Sequence, residues 1–264
     1  MIEFPNIRPY IFEIGPIQVR WYGLMYLFGF VGSYLLVRKQ IKKKGLGISK
    51  DVIESLYFYM IIGLILGARL GYVIFYNLSF YIKNPFDIFA VWHGGMSFHG
   101  GLIGAVICGV IFVKRRDLNL AVMADMVTVT GPVGLMFGRI GNFINGELFG
   151  RVTDVPWAMI FPEGGNLPRH PSQLYEAFLE GPVLFAILWI LKDRIRADGL
   201  MMPFFLIFYG IFRFIIEFFR EPDPQIGLIF GTLTMGQMLC SAMIAAGIFI
   251  IVRLRKRQKR PAGG

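Results

Sequence analysis

Seven stretches of mostly apolar residues, roughly 17–37, 54–76, 96–113, 119–138, 173–191, 200–219 and 234–252, follow one another along this chain. About 20 such residues wound as a helix reach across the hydrocarbon layer of a bilayer. Only helices and closed barrels satisfy every backbone donor and acceptor there. A large soluble helical protein is the competing reading, but with 55% hydrophobic and 17% charged residues there is too little polar sequence to coat one. The sequence therefore predicts an all-α polytopic membrane protein, seven transmembrane helices with short extracytoplasmic loop elements. Residues 1–264 form a single integral membrane domain, with 253–264 as a basic cytoplasmic tail.

Loops rich in Lys and Arg stay in the cytoplasm. Such residues follow the first run (Arg38, Lys39, Lys42, Lys43, Lys44, Lys50), the third (Lys114, Arg115, Arg116) and the fifth (Lys192, Arg194, Arg196). They follow the seventh as well (Arg253, Arg255, Lys256, Arg257, Lys259, Arg260). This places the N-terminus outside the cytoplasm and the C-terminus within it. The net charge of +10 is then explained by topology and by contact with anionic lipid headgroups, with no nucleic-acid partner. The opening "MIEFPNIRPYIFEIG" lacks the basic start and apolar core of a cleavable signal, so the first run is expected to serve as insertion signal. Cys108 and Cys240 lie within apolar runs and read as inert thiols. The three histidines, His93, His99 and His170, have no metal-ligand spacing, and neither a metal nor another cofactor is expected. Gly63, Gly67 and Gly71, four apart in the second run, share a helix face on which a neighbouring backbone can approach closely.

Nine cations escape the topology rule (Arg8, Arg20, Arg69, Lys83, Arg139, Arg151, Arg169, Arg213 and Arg220), and of these Arg69 and Arg213 lie inside apolar runs and Arg139 ends one. A charge at mid-membrane costs about 2.5–3.5 kcal/mol on insertion scales, so it faces a cavity, a partner or a substrate. The second, fourth and sixth runs travel outward, which puts these arginines in the outer half of the membrane. Tyr22 and His99, at the outer ends of the first and third runs, join them. Tyr209, Arg213, Glu217 and Arg220 form one helical stripe, with Glu217 orienting Arg213. In "GRIGNFINGELFGR" (138–151), Arg139 and Asn142 share a face, and glycines let the chain fold Asn145 and Glu147 back over it. The result is a cationic pocket open to the outer leaflet. Guanidinium groups match phosphate oxygens, so an anionic phospholipid headgroup suits it.

With these residues assembled, the chain resembles the prolipoprotein diacylglyceryl transferase family of the bacterial cytoplasmic (inner) membrane. The likeness runs from "RWYGLMYLFGF" (20–30) through "GGMSFHGGLIG" (94–104), "GRIGNFINGELFGR", "RHPSQLYEA" (169–177) and "FYGIFRFIIEFFREPD" (208–223) to "MGQ" (235–237). The resemblance implies transfer of a diacylglyceryl group from phosphatidylglycerol to the lipobox cysteine thiol in the signal peptide of a preprolipoprotein. The products are a thioether and glycerol phosphate. It carries functional weight onto Tyr22, His99, Arg139, Asn142, Glu147, Gly150, Tyr209, Arg213 and Glu217.

The chemistry fits those residue types. A sulfur nucleophile displacing phosphate from carbon makes the leaving oxygen more negative, and donors already fixed around it favour the transition state. Arg139 and Arg213 are expected in that role, Asn142 and Arg69 in binding the headgroup, and His99 as base for a thiol that reacts as thiolate. Glu147 and Glu217 orient arginines, while Tyr22 and Tyr209 donate to phosphate or line the interface. His93 after Trp92 and a short 152–168 segment depart from the family pattern without touching this set. A transporter for anions would show paired halves with broken helices, a scaffold would not need the charged stripe, and an intramembrane hydrolase would need a nucleophile–base pair.

Overall fold

The apolar runs become helices whose ends are set by local chemistry. The computed structural model describes residues 2–5, 7–14, 17–90, 94–195, 197–221, 228–229 and 233–258; His93, Arg196 and the tail from 259 lie outside them. The helices are α1 (Trp21–Lys44), α2 (Lys50–Tyr76), α3 (Leu78–Lys83), α4 (Phe98–Arg115), α5 (Leu120–Ile144), α6 (Ser172–Phe178), α7 (Leu184–Arg194), α8 (Met201–Ile216) and α9 (Met235–Gln258). Short strands pair beside them: β1 (Ile2–Glu3) parallel to β4 (Met159–Ile160), β2 (Tyr10–Ile14) antiparallel to β3 (Ile17–Arg20), and β5 (Leu228–Ile229) antiparallel to β6 (Leu233–Thr234).

Among the described residues, five helices are long and apolar enough to cross a membrane: α2, α4, α5, the continuous run Ser172–Arg194 and α9. The 16 residues of α8 are apolar but shorter. The 24-residue α1 ends in Lys42, Lys43 and Lys44 and lies outside that set.

Helix ends differ from the expected runs in three places. Residues 17–20 belong to β3, where pairing with β2 satisfies their backbone, and helix begins only at Trp21. The fourth run continues to Ile144, so "GRIGNFI" is helical throughout. The fifth is interrupted between α6 and α7 by a π turn, Leu179–Val183, in which Gly181 leaves helical geometry at φ −92° and ψ −107°. Pro182 supplies no N–H to the ladder, and a Cβ on Gly181 would sit 2.7 Å from Cβ of Met136.

The chain divides into two compact units, Met1–Val37 with Ala124–Gly264, and Arg38–Met123. In the second unit α2 lies against α4 through glycines. A Cβ on Gly67 would stand 2.8 Å from Cα of Gly104, and one on Gly71 would stand 2.8 Å from Cα of Gly100. The face read from the sequence is thus a backbone-to-backbone contact, with Leu56, Phe112, Val113 and Met123 packed as an apolar core elsewhere in the unit.

The first unit is centred on Val129, Leu184, Leu188, Leu200 and Met201, which join α5, α7 and α8. Asp125 of α5 starts α8 by accepting from the backbone N–H groups of Gly199 (2.7 Å) and Met201 (2.9 Å). A capping box opens α9: Gln237 N–H donates to Thr234 Oγ1, and Thr234 N–H donates to Gln237 Oε1, each at 3.1 Å.

Candidate active site

In the first unit, three segments bring charged side chains to one buried cluster. Arg139 comes from α5, Glu176 from α6 and Glu180 from the π turn. The α8 stripe adds Arg213, and Glu217 and Arg220 follow at its end. Arg139 Nε lies 2.7 Å from Glu176 Oε2 and 3.6 Å from Glu180 Oε2. Arg213 Nη1 lies 2.5 Å from Glu217 Oε2 and 3.7 Å from Glu176 Oε1, and Arg220 Nη1 donates to Glu176 Oε1 at 3.2 Å.

Glu176 and Glu180 are both 0% exposed, so the cations are what keep their charge tolerable. The pairing is close without being saturated. Arg213 Nη1 and Glu217 Oε2 approach off the hydrogen-bond direction, and both remain without a hydrogen-bond partner among the described residues. Arg139 keeps its Nη1 and Nη2 free of hydrogen bonds to described residues, and 19% of its side chain is exposed.

Two tyrosines, Tyr209 and Tyr22, belong to the same unit as the cluster. Tyr209 stacks on Phe205 with ring centroids 5.5 Å apart, and both Tyr209 and Tyr22 lie within electrostatic range of Arg139. The Tyr22 hydroxyl is 3.4 Å from that of Tyr26. Its ring passes over Gly141, where a Cβ would stand 2.8 Å from Cδ2 of Tyr22, so any side chain there displaces the tyrosine.

Glu217 is held from a second direction. Its Oε1 accepts from Thr234 Oγ1 at 2.9 Å, and a Cβ on Gly236 would collide with its carboxylate. The first turn of α9 therefore encloses Glu217, an anion at a helix N-terminus.

The segment after α5 turns back through two left-handed residues, Gly146 (φ 69°) and Leu148 (φ 59°). That geometry carries about 1–2 kcal/mol of strain in a non-glycine residue. Hydrogen bonds hold it: Glu147 Oε1 accepts from Asn142 Nδ2 (2.8 Å) and Asn145 Nδ2 (3.2 Å). Gln173 Nε2 donates to the Glu147 carbonyl at 2.6 Å, and Ser172 Oγ donates to that of Leu148 at 3.1 Å.

Beyond it, residues 150–151 are clasped between two other segments. Gly150 N–H donates to the His170 carbonyl (2.8 Å), Arg151 N–H to that of Phe219 (2.9 Å), and His170 N–H to that of Arg151 (3.0 Å). A Cβ on Gly150 would lie 2.7 Å from Cβ of His170, so a glycine is needed for the three segments to meet. Arg169 adds a bond from Nη1 to the Gly150 carbonyl and an ion pair with Glu221 at 2.9 Å.

His99 and Arg69 belong to the second unit. Ser97 caps α4 by accepting from Gly100 N–H at 3.2 Å, which leaves His99 exposed on the first turn with no hydrogen bond to a described residue. Arg69 is 4% exposed and fully occupied: Nε donates to the carbonyl of Ile88, Nη1 to Gly94 and Gly95, and Nη2 to Asp87 and Ala90. It moulds the loop before α4 around itself.

Glu176 and Glu180 were not singled out in the sequence, where Glu147 and Glu217 were the carboxylates weighed, although Glu176 lies within "RHPSQLYEA". The signal was present. Two carboxylates four residues apart inside an apolar run meet the same membrane cost as the arginines.

A family model described as prolipoprotein diacylglyceryl transferase matches residues 9–253. The chain is 51% identical over 260 residues to a protein of Geobacter sulfurreducens, covering 98% of this chain and 100% of that one. It is 50% identical to one of Pseudomonas paraeruginosa (97% of each) and 52% identical to one of Pseudoalteromonas translucida (95% and 94%). All three relatives carry the name phosphatidylglycerol–prolipoprotein diacylglyceryl transferase.

Proposed function

The chain belongs to the prolipoprotein diacylglyceryl transferase family, and from that premise we propose how its residues carry the reaction. It is a transferase that moves the diacylglyceryl group of phosphatidylglycerol to a prolipoprotein, the first step of lipoprotein maturation. The acceptor is the lipobox cysteine of the signal peptide. The enzyme sits in the bacterial inner membrane with seven spans, α1 and α8 completing the five long apolar helices. Its N-terminus is extracytoplasmic, its C-terminus is cytoplasmic, and its site lies in the outer-leaflet half.

The observation that supports the residue roles is the Nη pair of Arg139, free of hydrogen bonds to described residues, beside a buried carboxylate. Tethered at Nε by Glu176, the guanidinium is held with its fork available, the geometry that grips two phosphate oxygens. Arg213, steadied by Glu217, gives the second cation. As the sulfur bonds to the glycerol carbon and the C–O bond breaks, glycerol phosphate leaves with the electron pair, and the two guanidiniums stabilise its growing charge. The thiol proton goes to His99, whose exposure and lack of a hydrogen bond to any described residue suit a base that must meet an incoming peptide. Asn142, with Glu147 fixing its amide, and Tyr209 and Tyr22 position the headgroup. Gly150 keeps the signature loop clasped. Arg69, with its donors given to carbonyls, supports binding by shaping the loop that leads to His99.

The test is an assay of detergent-purified protein with phosphatidylglycerol and a lipobox peptide, read by mass spectrometry. Wild type adds a diacylglyceryl group. Arg139→Ala and His99→Ala abolish the addition while the protein remains inserted. Arg213→Lys loses about 100-fold or more, since an ammonium cannot replace a fork that stabilises the transition state. Full activity in any one of them removes that residue from the mechanism.

A further inference from the structure

Glu180 has no part in the steps above, yet it is wholly buried and neither carboxylate oxygen has a hydrogen-bond partner among the described residues. Its contacts to Arg139 Nε (3.6 Å) and Arg213 Nε (4.0 Å) are too long for hydrogen bonds. Glu176 and Glu217 stand closer to a guanidinium nitrogen, at 2.7 and 2.5 Å, and each has one oxygen that accepts a hydrogen bond, from Arg220 Nη1 and from Thr234 Oγ1. Of the three acids, Glu180 is the one least firmly bound to a cation.

Charge balance gives this looseness a use. Arg139, Arg213 and Arg220 face Glu176, Glu180 and Glu217, three formal charges of each sign, so the cluster by itself is neutral. A phosphodiester brings one negative charge into a place where unbalanced charge is costly. With one carboxyl protonated, the cluster carries one positive charge, which matches the ligand.

We propose that Glu180 takes one proton from solvent when the anionic phosphodiester binds, turning Arg139 and Arg213 from carboxylate to phosphate, and returns it when the site empties. The inference rests on the phosphatidylglycerol reading of the site. The only bond made is the O–H of the carboxyl, and the phosphodiester itself stays ionised. Glu180 is thus a positioning residue acting through the two arginines.

The groups that face it are Arg139 on α5, Glu176 on α6, Tyr209 and Arg213 on α8, Arg220 beyond α8 and Cys240 on α9. Among the acids, Glu176 lies within reach of all three arginines, through Arg139 Nε, Arg213 Nη1 and Arg220 Nη1, and Glu217 is held by Arg213 and Thr234. Those contacts occupy both acids and leave Glu180, the most loosely held, as the group that responds. The π turn is what presents it, since Gly181 and Pro182 release the backbone just after it from the helical register of α6.

The experiment is calorimetric titration of the full chain in detergent with short-chain phosphatidylglycerol at about pH 8, in two buffers of different ionisation enthalpy. The difference counts protons. Wild type takes up close to one proton per lipid bound, and its affinity falls about tenfold per pH unit in the alkaline range, the slope of one linked proton. E180Q binds with no uptake and a flat pH profile. Lipid binding to wild type without proton uptake overturns the proposal whether or not the variant folds, and so does uptake that persists in E180Q. Absence of lipid binding to wild type at any pH overturns the reading of the site as well.

Discussion

At the scale of single residues, side chains that look alike in sequence do different work. Arg69 and Arg139 were both expected to meet the lipid because both are cations in apolar surroundings. Arg69 instead gives its N–H groups to five carbonyls, while Arg139 keeps its Nη pair free among the described residues. Sequence exposes the cost of a buried charge but not which acceptors meet it. The stripe Arg213–Glu217 was legible because both partners lie on one helix, whereas the Glu176 contacts cross between helices and needed the fold.

His170 sets a pH dependence in the same way. Trp157 Nε1 donates to the Tyr175 hydroxyl at 2.7 Å, and that hydroxyl lies 3.1 Å from His170 Nδ1, an arrangement that suits an unprotonated Nδ1. Burial holds the His170 imidazole below its ordinary value. The unfolded chain therefore binds the proton more readily, and the stability contributed is complete above the ordinary imidazole range and lost as pH falls through the depressed value. Thermal unfolding in detergent should occur at lower temperature as pH drops from about 7 to about 5. His170→Gln should show a smaller drop, and an identical profile in the variant would remove His170 as its source.

At the scale of elements, apolar runs announced the helices well, since a length near 20 residues and a lack of charge suffice for that. Their ends were less visible. The strand at 17–20 depends on pairing with β2, and α5 runs on to Ile144 through Gly141, where a Cβ would meet the Tyr22 ring. The π turn was readable in principle from Gly181–Pro182, but its consequence, the placing of Glu180, was not. The α2–α4 contact was the most legible packing feature, because glycines four apart leave one reason to be there. Gly67→Leu puts a side chain where a Cβ alone would stand 2.8 Å from Gly104 Cα. It should force the helices apart at a cost of about 1–3 kcal/mol or more, seen as a lower unfolding midpoint. An unchanged midpoint would show that this contact contributes nothing to stability.

At the scale of the whole molecule, the chain divides into two compact units, with the charged cluster in one and Arg69 and His99 in the other. Motif order along the chain pointed to the family from sequence alone, and the match over residues 9–253 agrees with it. Partition into units was not readable, because α1 and α5 each run through a boundary without a break.

The clasp around residues 150–151 has a bearing on biosynthesis. Its strands come from the middle of the chain, from His170 and from Phe219, so a ribosome that has delivered the first 200 residues has not yet supplied the last strand. The loop must wait, half-fastened, for the sixth apolar run to arrive. A chain stopped before Phe219 should be cut by added protease between residues 146 and 170, where the finished protein resists; equal resistance would mean that the loop matures without its latecomer.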